Sequence, residues 1–123
     1  MTARPLVLVA DDNADILGLV TAVLERSGYE VVAVSDGAQA LASVDKRKPD
    51  LAVLDITMPE VDGLEVLRRL RADTRTNGLP VVLLSAQVQE ADVDLGFATG
   101  ASAYLKKPFS PRELTERVAD LLS

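Results

Sequence analysis

Short apolar runs alternate along this chain with segments in which apolar residues recur every three or four positions. The runs predict buried strands and the longer periodic segments predict helices. The predicted strands cover residues 6–10, 30–34, 50–55, 81–84 and 103–106. The predicted helices begin near Asn13, Asp36, Gly63, Gln89 and Ser110. Five strand-then-helix units without an intervening linker predict one α/β domain over residues 1–123, with a parallel sheet and helices on both faces.

The helical spacing also predicts which side chains face the core. These are Ile16, Leu19, Val20, Val23 and Leu24 in the first helix; Ala38, Leu41, Ala42 and Val44 in the second; Leu64, Leu67 and Leu70 in the third; Val93 and Phe97 in the fourth; and Leu114, Val118 and Leu121 in the last. Leu17 and Gly18 lie off the first stripe, where they are either ordinary surface residues or a patch for a partner. The basic residues 68, 69 and 71 are predicted to form a solvated outer face of the third helix.

Composition removes several kinds of chemistry. The chain has no cysteine and no histidine, which excludes disulfides, thiolate metal sites and the commonest general base. A formal charge of −6 argues against direct contact with nucleic acid or an anionic membrane surface. No segment has the form of a signal peptide or membrane span, so a cytoplasmic protein is expected. Any chemistry must use carboxylates, hydroxyls and lysine.

Polar residues follow four of the predicted strands at the point where each strand ends. They are Asp11 and Asp12, Asp55, Ser85, and Lys106 or Lys107. The carboxyl ends of parallel strands share one edge of a sheet, which is where open α/β sheets bind ligands. Carboxylates about 4 Å apart repel by roughly 4 kcal/mol at an effective dielectric constant of about 20, so the cluster requires a cation or protons. Mg²⁺ suits such an open group of oxygen ligands.

In this arrangement the sequence resembles the receiver domain of two-component response regulators, of the single-receiver type related to the chemotaxis protein Y. The residues that carry the resemblance are Asp11-Asp12, Asp55 with Met58-Pro59 and Asp62-Gly63, Ser85-Ala86, and Tyr104 with Lys107-Pro108-Phe109. The resemblance covers nearly the whole chain. It implies a flavodoxin-like, doubly wound (βα)5 fold with a five-stranded parallel sheet of order 2-1-3-4-5.

The resemblance also implies the chemistry of the site. Asp55 would accept a phosphoryl group from a sensor histidine kinase or a histidine phosphotransfer protein. Mg²⁺, for which Mn²⁺ can substitute, would be held by Asp11, Asp12, Asp55 and the backbone carbonyl of Thr57. This would make the chain a phosphoprotein whose aspartyl phosphate is a signal, and not an enzyme that turns over an external substrate.

The remaining site residues would stabilise and report the phosphate. Lys107 would pair with one phosphate oxygen and Ser85 would donate its hydroxyl to another. Tyr104 would turn inward as Ser85 moves, changing the surface of the fourth helix, fifth strand and fifth helix toward a downstream effector protein or domain. The family pattern also implies a cis Lys107–Pro108 peptide bond. Receivers that dimerise through this surface often carry paired acids just before the aromatic residue, where this chain has Ser102 and Ala103.

Each residue has an ordinary alternative when taken singly. Asp11 and Asp12 suit a helix start, Tyr104 suits a half-buried strand and Lys107 suits a turn. Their joint occurrence at successive strand ends favours the receiver interpretation. A degenerate receiver acting only as an interaction module remains an alternative, although the acidic set is complete. With no output domain in these 123 residues, the chain is expected to be a stand-alone receiver, a relay intermediate or the front of a longer regulator.

Two other functions found on related folds, one enzymatic and one as a cofactor carrier, are disfavoured by the residues at a few positions. An aspartate-nucleophile phosphohydrolase of the haloacid-dehalogenase type needs a second acid two residues after the nucleophile, and position 57 is threonine. A flavin carrier would need hydroxyls and glycines after the first strand to hold a phosphate, where Asp11 and Asp12 would repel it.

Overall fold

The computed structural model describes residues 4–86 and 97–123. Its five strands form one parallel sheet in the order β2-β1-β3-β4-β5, which confirms the predicted topology. The strands are β1 (Leu6–Ala10), β2 (Glu30–Val34), β3 (Leu51–Asp55), β4 (Val81–Ser85) and β5 (Ala103–Lys106). The helices are α1 (Ala14–Arg26), α2 (Gly37–Lys46), α3 (Gly63–Ala72) and the C-terminal helix (Pro111–Leu122).

The sheet separates two apolar cores because alternate strand residues point to opposite faces. Leu8, Leu54 and Leu83 point toward α2 and α3. Val7 and Val53 point toward α1 and the C-terminal helix. The central strands β1, β3 and β4 are buried on both faces, as their unbroken apolar sequences predicted. Within the described residues, no helix has both the length and the hydropathy needed to span a membrane.

Polar side chains fix where the helices begin. Asn13, Asp36 and Asp62 each accept a hydrogen bond from a backbone N–H in the first turn of α1, α2 and α3. The C-terminal helix begins with the predicted capping box, in which Ser110 and Glu113 each accept from the other's backbone N–H. These caps place the start of α1 and α3 directly beside the acidic ends of β1 and β3.

Two of the predicted helix faces are partly wrong. In α1, Leu19 is 46% exposed while Leu17 packs against the core. In α2, Ala38 and Ala42 are exposed and Ala40 is fully buried. In α1 the buried stripe includes Leu17 in place of Leu19, and in α2 alanines lie on several sides, so the spacing alone does not select the buried face.

The predicted helix over residues 89–99 falls largely outside the described residues, and so does its predicted inward residue Val93. Residues 97–99 are helical, and Gly100 ends that helix with a φ of 116°. The prediction that Phe97 faces inward is wrong, since its side chain is 48% exposed. Its ring instead lies at the surface, with its centroid 6.4 Å from that of Tyr104.

The loop between β3 and α3 folds back under the end of β3. Gly63 donates its N–H to the carbonyl of Ile56 at 2.9 Å, and a Cβ at position 63 would collide with the backbone carbonyl of Asp55. The start of α2 meets the same loop, since a Cβ on Gly37 would collide with the carbonyl of Val61. Two glycines therefore permit main chain to pack directly against the loop that follows Asp55.

Gly63→Ala is expected to lower the free energy of unfolding by about 1–3 kcal/mol, because the added methyl group must displace the backbone of Asp55. Urea denaturation measures the change. Gly18→Ala is the matched control, since no atom lies within 4 Å of the added Cβ and alanine favours a helix interior by roughly 1 kcal/mol. An equal loss in both variants would contradict the predicted collision.

Candidate functional site

The three aspartates predicted from the strand ends lie together. Asp11 follows β1 and is fully buried, Asp12 is exposed, and Asp55 is the last residue of β3 and is 5% exposed. One carboxylate oxygen from each of the three lies within 4.8 Å of the others. Asp11 is held in place by the N–H of Asn13, which donates to its Oδ1 at 2.9 Å. Asn13, the N-cap of α1, therefore also positions a carboxylate of the acidic cluster.

Lys107 supplies the positive charge among these acids. Its Nζ donates to Asp11 Oδ2 at 2.9 Å and lies 3.3 Å from Asp55 Oδ1. The side chain is 12% exposed, so these ion pairs are far less screened than surface pairs. The peptide bond between Lys107 and Pro108 is cis, as predicted.

The environment strengthens the binding of a proton to Asp55. The pKa of this carboxyl group is raised from 3.8 to about 6, chiefly by burial and next by the negative charge of Asp11. Lys107 and the backbone N–H of Thr57 lower the pKa but do not cancel the effect of burial. The site therefore has more negative charge than one lysine balances.

The donor set fits a hard divalent cation. Three carboxylates converge within a span that one ion can bridge, and their oxygen atoms are the ligands that Mg²⁺ prefers. A bound cation, in addition to Lys107, would balance the excess negative charge and lower the raised pKa of Asp55. The backbone of Thr57 adjoins the cluster through its N–H bond to Asp55.

The two predicted switch residues lie on neighbouring strands. Ser85 ends β4, is buried, and accepts a 2.7 Å hydrogen bond at its carbonyl from the N–H of Lys107. Tyr104 lies in β5 and packs against the core on the side of α2 and α3. Ser85 is thus beside the charged cluster, while Tyr104 lies near the opposite end of β5 from Lys107.

An apolar groove of about 380 Å³ borders the cluster. Its lining consists of Ile16, Leu19, Ala86, Lys107, Pro108 and Phe109. Leu19, which the sequence predicted to be inward, is here an exposed wall of the groove. The groove thus joins the first helix to the segment that carries Lys107.

Some residues that shape the site have no chemical signature in the sequence. Gly63 and Gly37 have no side chain and so allow the main chain to pack closely. Asn13 caps α1 with its side chain and also donates its backbone N–H to Asp11. A glycine directly after an N-cap aspartate, as at Asp36-Gly37 and Asp62-Gly63, is the one sequence signal that could have suggested the close packing.

Comparison with known proteins gives a consistent result. The family model for the response regulator receiver domain matches residues 7–119. The DNA-binding response regulator MtrA of Mycobacterium tuberculosis is 43% identical over 117 residues, which are 95% of this chain and 50% of MtrA. The chain thus spans about half the length of the curated relatives it matches.

Solved structures agree with this match. The chemotaxis protein CheY4 of Vibrio cholerae has a TM-score of 0.93 and 32% identity, with 98% of this chain and 100% of CheY4 covered. The receiver domain of a sensor histidine kinase from Pseudomonas aeruginosa has a TM-score of 0.90 and 29% identity, with 98% of each chain covered. It was solved with a magnesium ion coordinated in its active-site cleft.

The fold, the acidic cluster and these matches define a class of two-component signalling domains. The chain belongs to the family of response-regulator receiver domains. Domains of this family act in phosphorylation signalling.

Proposed function

We propose that residues 1–123 form one receiver domain in which Asp55 is the phosphoryl acceptor. The observation that carries this proposal is the convergence of Asp11, Asp12, Asp55 and Lys107 at the carboxyl edge of the sheet, with Asp55 at the end of the middle strand β3. The donor would be a phosphohistidine on a sensor kinase or phosphotransfer protein. Its P–N bond would break as a P–O bond forms to an Asp55 oxygen, and the freed imidazole would take up a proton.

The residues of this chain would hold the reacting groups in place. Lys107, 3.3 Å from Asp55 Oδ1, would pair with an oxygen of the incoming phosphoryl group. The N–H of Thr57 bonds to the Asp55 carboxylate, and Ser85 would donate its hydroxyl to the phosphate from β4, the strand that pairs with β3. Positioning and charge neutralisation are the main requirements of phosphoryl transfer.

Asp11, Asp12, Asp55 and the backbone carbonyl of Thr57 would hold Mg²⁺, or Mn²⁺ in its place. The bound cation would neutralise charge shared between the carboxylates and the phosphoryl oxygens. Tyr104 would report the phosphorylated state to a downstream effector through the surface that includes β5 and the C-terminal helix. The output is a change of state in this domain, without turnover of an external substrate.

Labelling of Asp55 tests the function. The protein is incubated with Mg²⁺ and acetyl phosphate, and its intact mass is measured. We expect one acid-stable, base-labile phosphoryl group on the wild type and none on Asp55→Asn. Equal labelling of both proteins would refute the assignment of Asp55. No labelling of either would favour the degenerate receiver that acts only by contact.

The apolar groove beside the acidic cluster would receive the phosphohistidine donor. Leu19→Asp is expected to lower the rate of transfer from a phosphohistidine protein by about tenfold or more, because a charge replaces an exposed apolar wall. Labelling by acetyl phosphate should be unchanged, since that donor needs no protein contact. An equal loss with both donors would show that Leu19 affects Asp55 itself. Ala42→Asp, at an exposed position of α2 on the opposite face of the sheet, is the control for surface charge.

A further inference from the structure

Arg71, in the last turn of α3, does not belong to the solvated basic face predicted for that helix. Its guanidinium donates twice to the carbonyl of Gly100, from Nε at 3.0 Å and from Nη2 at 2.7 Å. A third, longer contact runs from Nη1 to the carbonyl of Thr76 at 3.4 Å. By contrast, Arg68 and Arg69 on the same helix are exposed and pair with Glu65.

The two partners are matched in shape. Gly100 has a φ of 116°, which side chains with a Cβ rarely adopt. A Cβ at this position would also lie 2.9 Å from Arg71 Nε and 3.1 Å from Cδ and Cγ. The side chain of Arg71 therefore lies flat against the backbone of Gly100, in space that only glycine leaves open.

Among the described residues, the hydrogen bonds of the Arg71 guanidinium go to backbone carbonyls. Among residues 4–86 and 97–123, the salt bridges formed by arginine involve Arg47, Arg68, Arg69, Arg75 and Arg112. Burial lowers the pKa of Arg71. Gly100 follows the helical residues 97–99, so the positive charge meets the negative end of a helix.

Gly100 lies at the junction between the two aromatic residues of this region. Its N–H donates to the carbonyl of Phe97 at 3.0 Å, and the ring of Phe97 lies against that of Tyr104. Two residues after Gly100, Ser102 makes two hydrogen bonds with Val81. The N–H of Ser102 donates to the carbonyl of Val81 at 2.8 Å, and the N–H of Val81 donates to Oγ of Ser102 at 3.1 Å. Arg71 thus fixes the chain just before β5 begins.

We propose that Arg71 is a positioning residue for the Tyr104 switch, holding the Gly100 carbonyl so that the start of β5 is fixed when Asp55 changes state. This inference rests on the proposed function, in which Tyr104 reports the phosphorylation of Asp55. With the start of β5 fixed, a change at the Ser85 end must be taken up by the ring of Tyr104. Without Arg71 the segment shifts as a whole, and the ring populates the same mixture of positions in both states.

The experiment uses Tyr104 as the sole fluorophore. The chain has no tryptophan and two tyrosines, so Tyr29→Phe leaves Tyr104 alone. Acrylamide quenching of its fluorescence is measured before and after labelling with acetyl phosphate and Mg²⁺, with phosphorylation of Asp55 measured in parallel by intact mass. In this background we expect Arg71→Ala to be labelled to the same extent as the parent but to show less than about half of the change in quenching. Arg69→Ala, the matched control, should retain the full change.

Arg71→Lys separates positioning from general stability. Lysine keeps the charge but cannot donate in the planar, paired manner of a guanidinium, so an intermediate change in quenching is expected. This variant carries the test if Arg71→Ala does not fold. A purely structural role would lower the melting temperature of the variants and leave the amplitude of the change untouched, which would overturn the inference.

The two proposals fail in different ways. If the parent is not labelled at Asp55, the proposed function fails, and the role of Arg71 fails with it. If the parent is labelled and Tyr104 does not respond, Asp55 stands as the acceptor but the reporting role of Tyr104 fails together with the role of Arg71. If Tyr104 responds equally in the parent and the Arg71 variants, only the role of Arg71 is overturned.

Discussion

Lys107→Ala is expected to lower the free energy of unfolding by about 3–5 kcal/mol in the absence of Mg²⁺, because it leaves two buried carboxylates without their cation. The same change should slow the labelling of Asp55 by acetyl phosphate by at least about a hundredfold, the loss typical when a preorganised charge is removed from an active site. Urea denaturation and the initial rate of mass gain measure the two effects.

Lys106→Ala is the matched control, since this neighbouring lysine is exposed on β5. It should leave both stability and labelling near wild type. Millimolar Mg²⁺ should restore part of the stability lost in Lys107→Ala, because a cation among the aspartates replaces part of the missing charge. Equal effects of the two lysine substitutions would show that Lys107 acts only through net charge.

Asp55→Asn is expected to stabilise the Mg²⁺-free protein at pH 7.5 by about 1–3 kcal/mol, because the pKa of Asp55 is raised from 3.8 to about 6. The folded state binds this proton more tightly than the unfolded state does. Wild-type stability from this group is therefore present below pH 4 and is lost as the pH rises toward 6. The amide of Asp55→Asn does not titrate. The free energy of unfolding of this variant should therefore rise above that of the wild type between about pH 4 and 6 and stay above it at higher pH.

Thermal unfolding of both proteins between pH 3.5 and 8 measures the difference. Asp120→Asn, at an exposed position on the C-terminal helix, provides the control for removing one surface carboxylate. Added Mg²⁺ should narrow the gap at pH 7.5, because it stabilises the wild type more than the variant that has lost one ligand. An advantage of Asp55→Asn that is the same at all pH values would rule out titration of this group as its cause.

The sheet and the charged cluster could be predicted because both depend on local sequence. An unbroken apolar run such as Leu51–Leu54 is typical of a strand that is covered by helices on both faces. A carboxylate at the end of such a strand lies at the carboxyl edge of the sheet, and this position does not depend on how the helices pack. Lys107 could be predicted for the same reason, since it directly follows β5. The roles of these residues in phosphorylation came from the resemblance and remain proposals.

The rotation of the helices could not be predicted with the same certainty. In α2, alanines at 38, 40 and 42 offer nearly equal apolar surface on different sides, and the buried one, Ala40, lies three residues after Gly37, which packs against the loop after β3. The prediction that Arg71 is solvated was wrong, because its guanidinium donates to the backbone carbonyls of Gly100 and Thr76. Every residue has a backbone carbonyl, so the sequence does not show which one will bind Arg71, and Gly100 is 29 residues away.

Direct backbone packing at Gly37 also limits how this receiver can diverge in sequence. The carbonyl of Val61 occupies the space that any side chain at position 37 would need, so a larger residue there requires the start of α2 or the loop after Asp55 to shift. In a library of all single substitutions, position 37 should be depleted as strongly as the aspartates themselves. Homologues that carry a larger residue there should show a compensating change in the length or path of the loop, so position 37 and the loop after Asp55 are expected to change together in evolution.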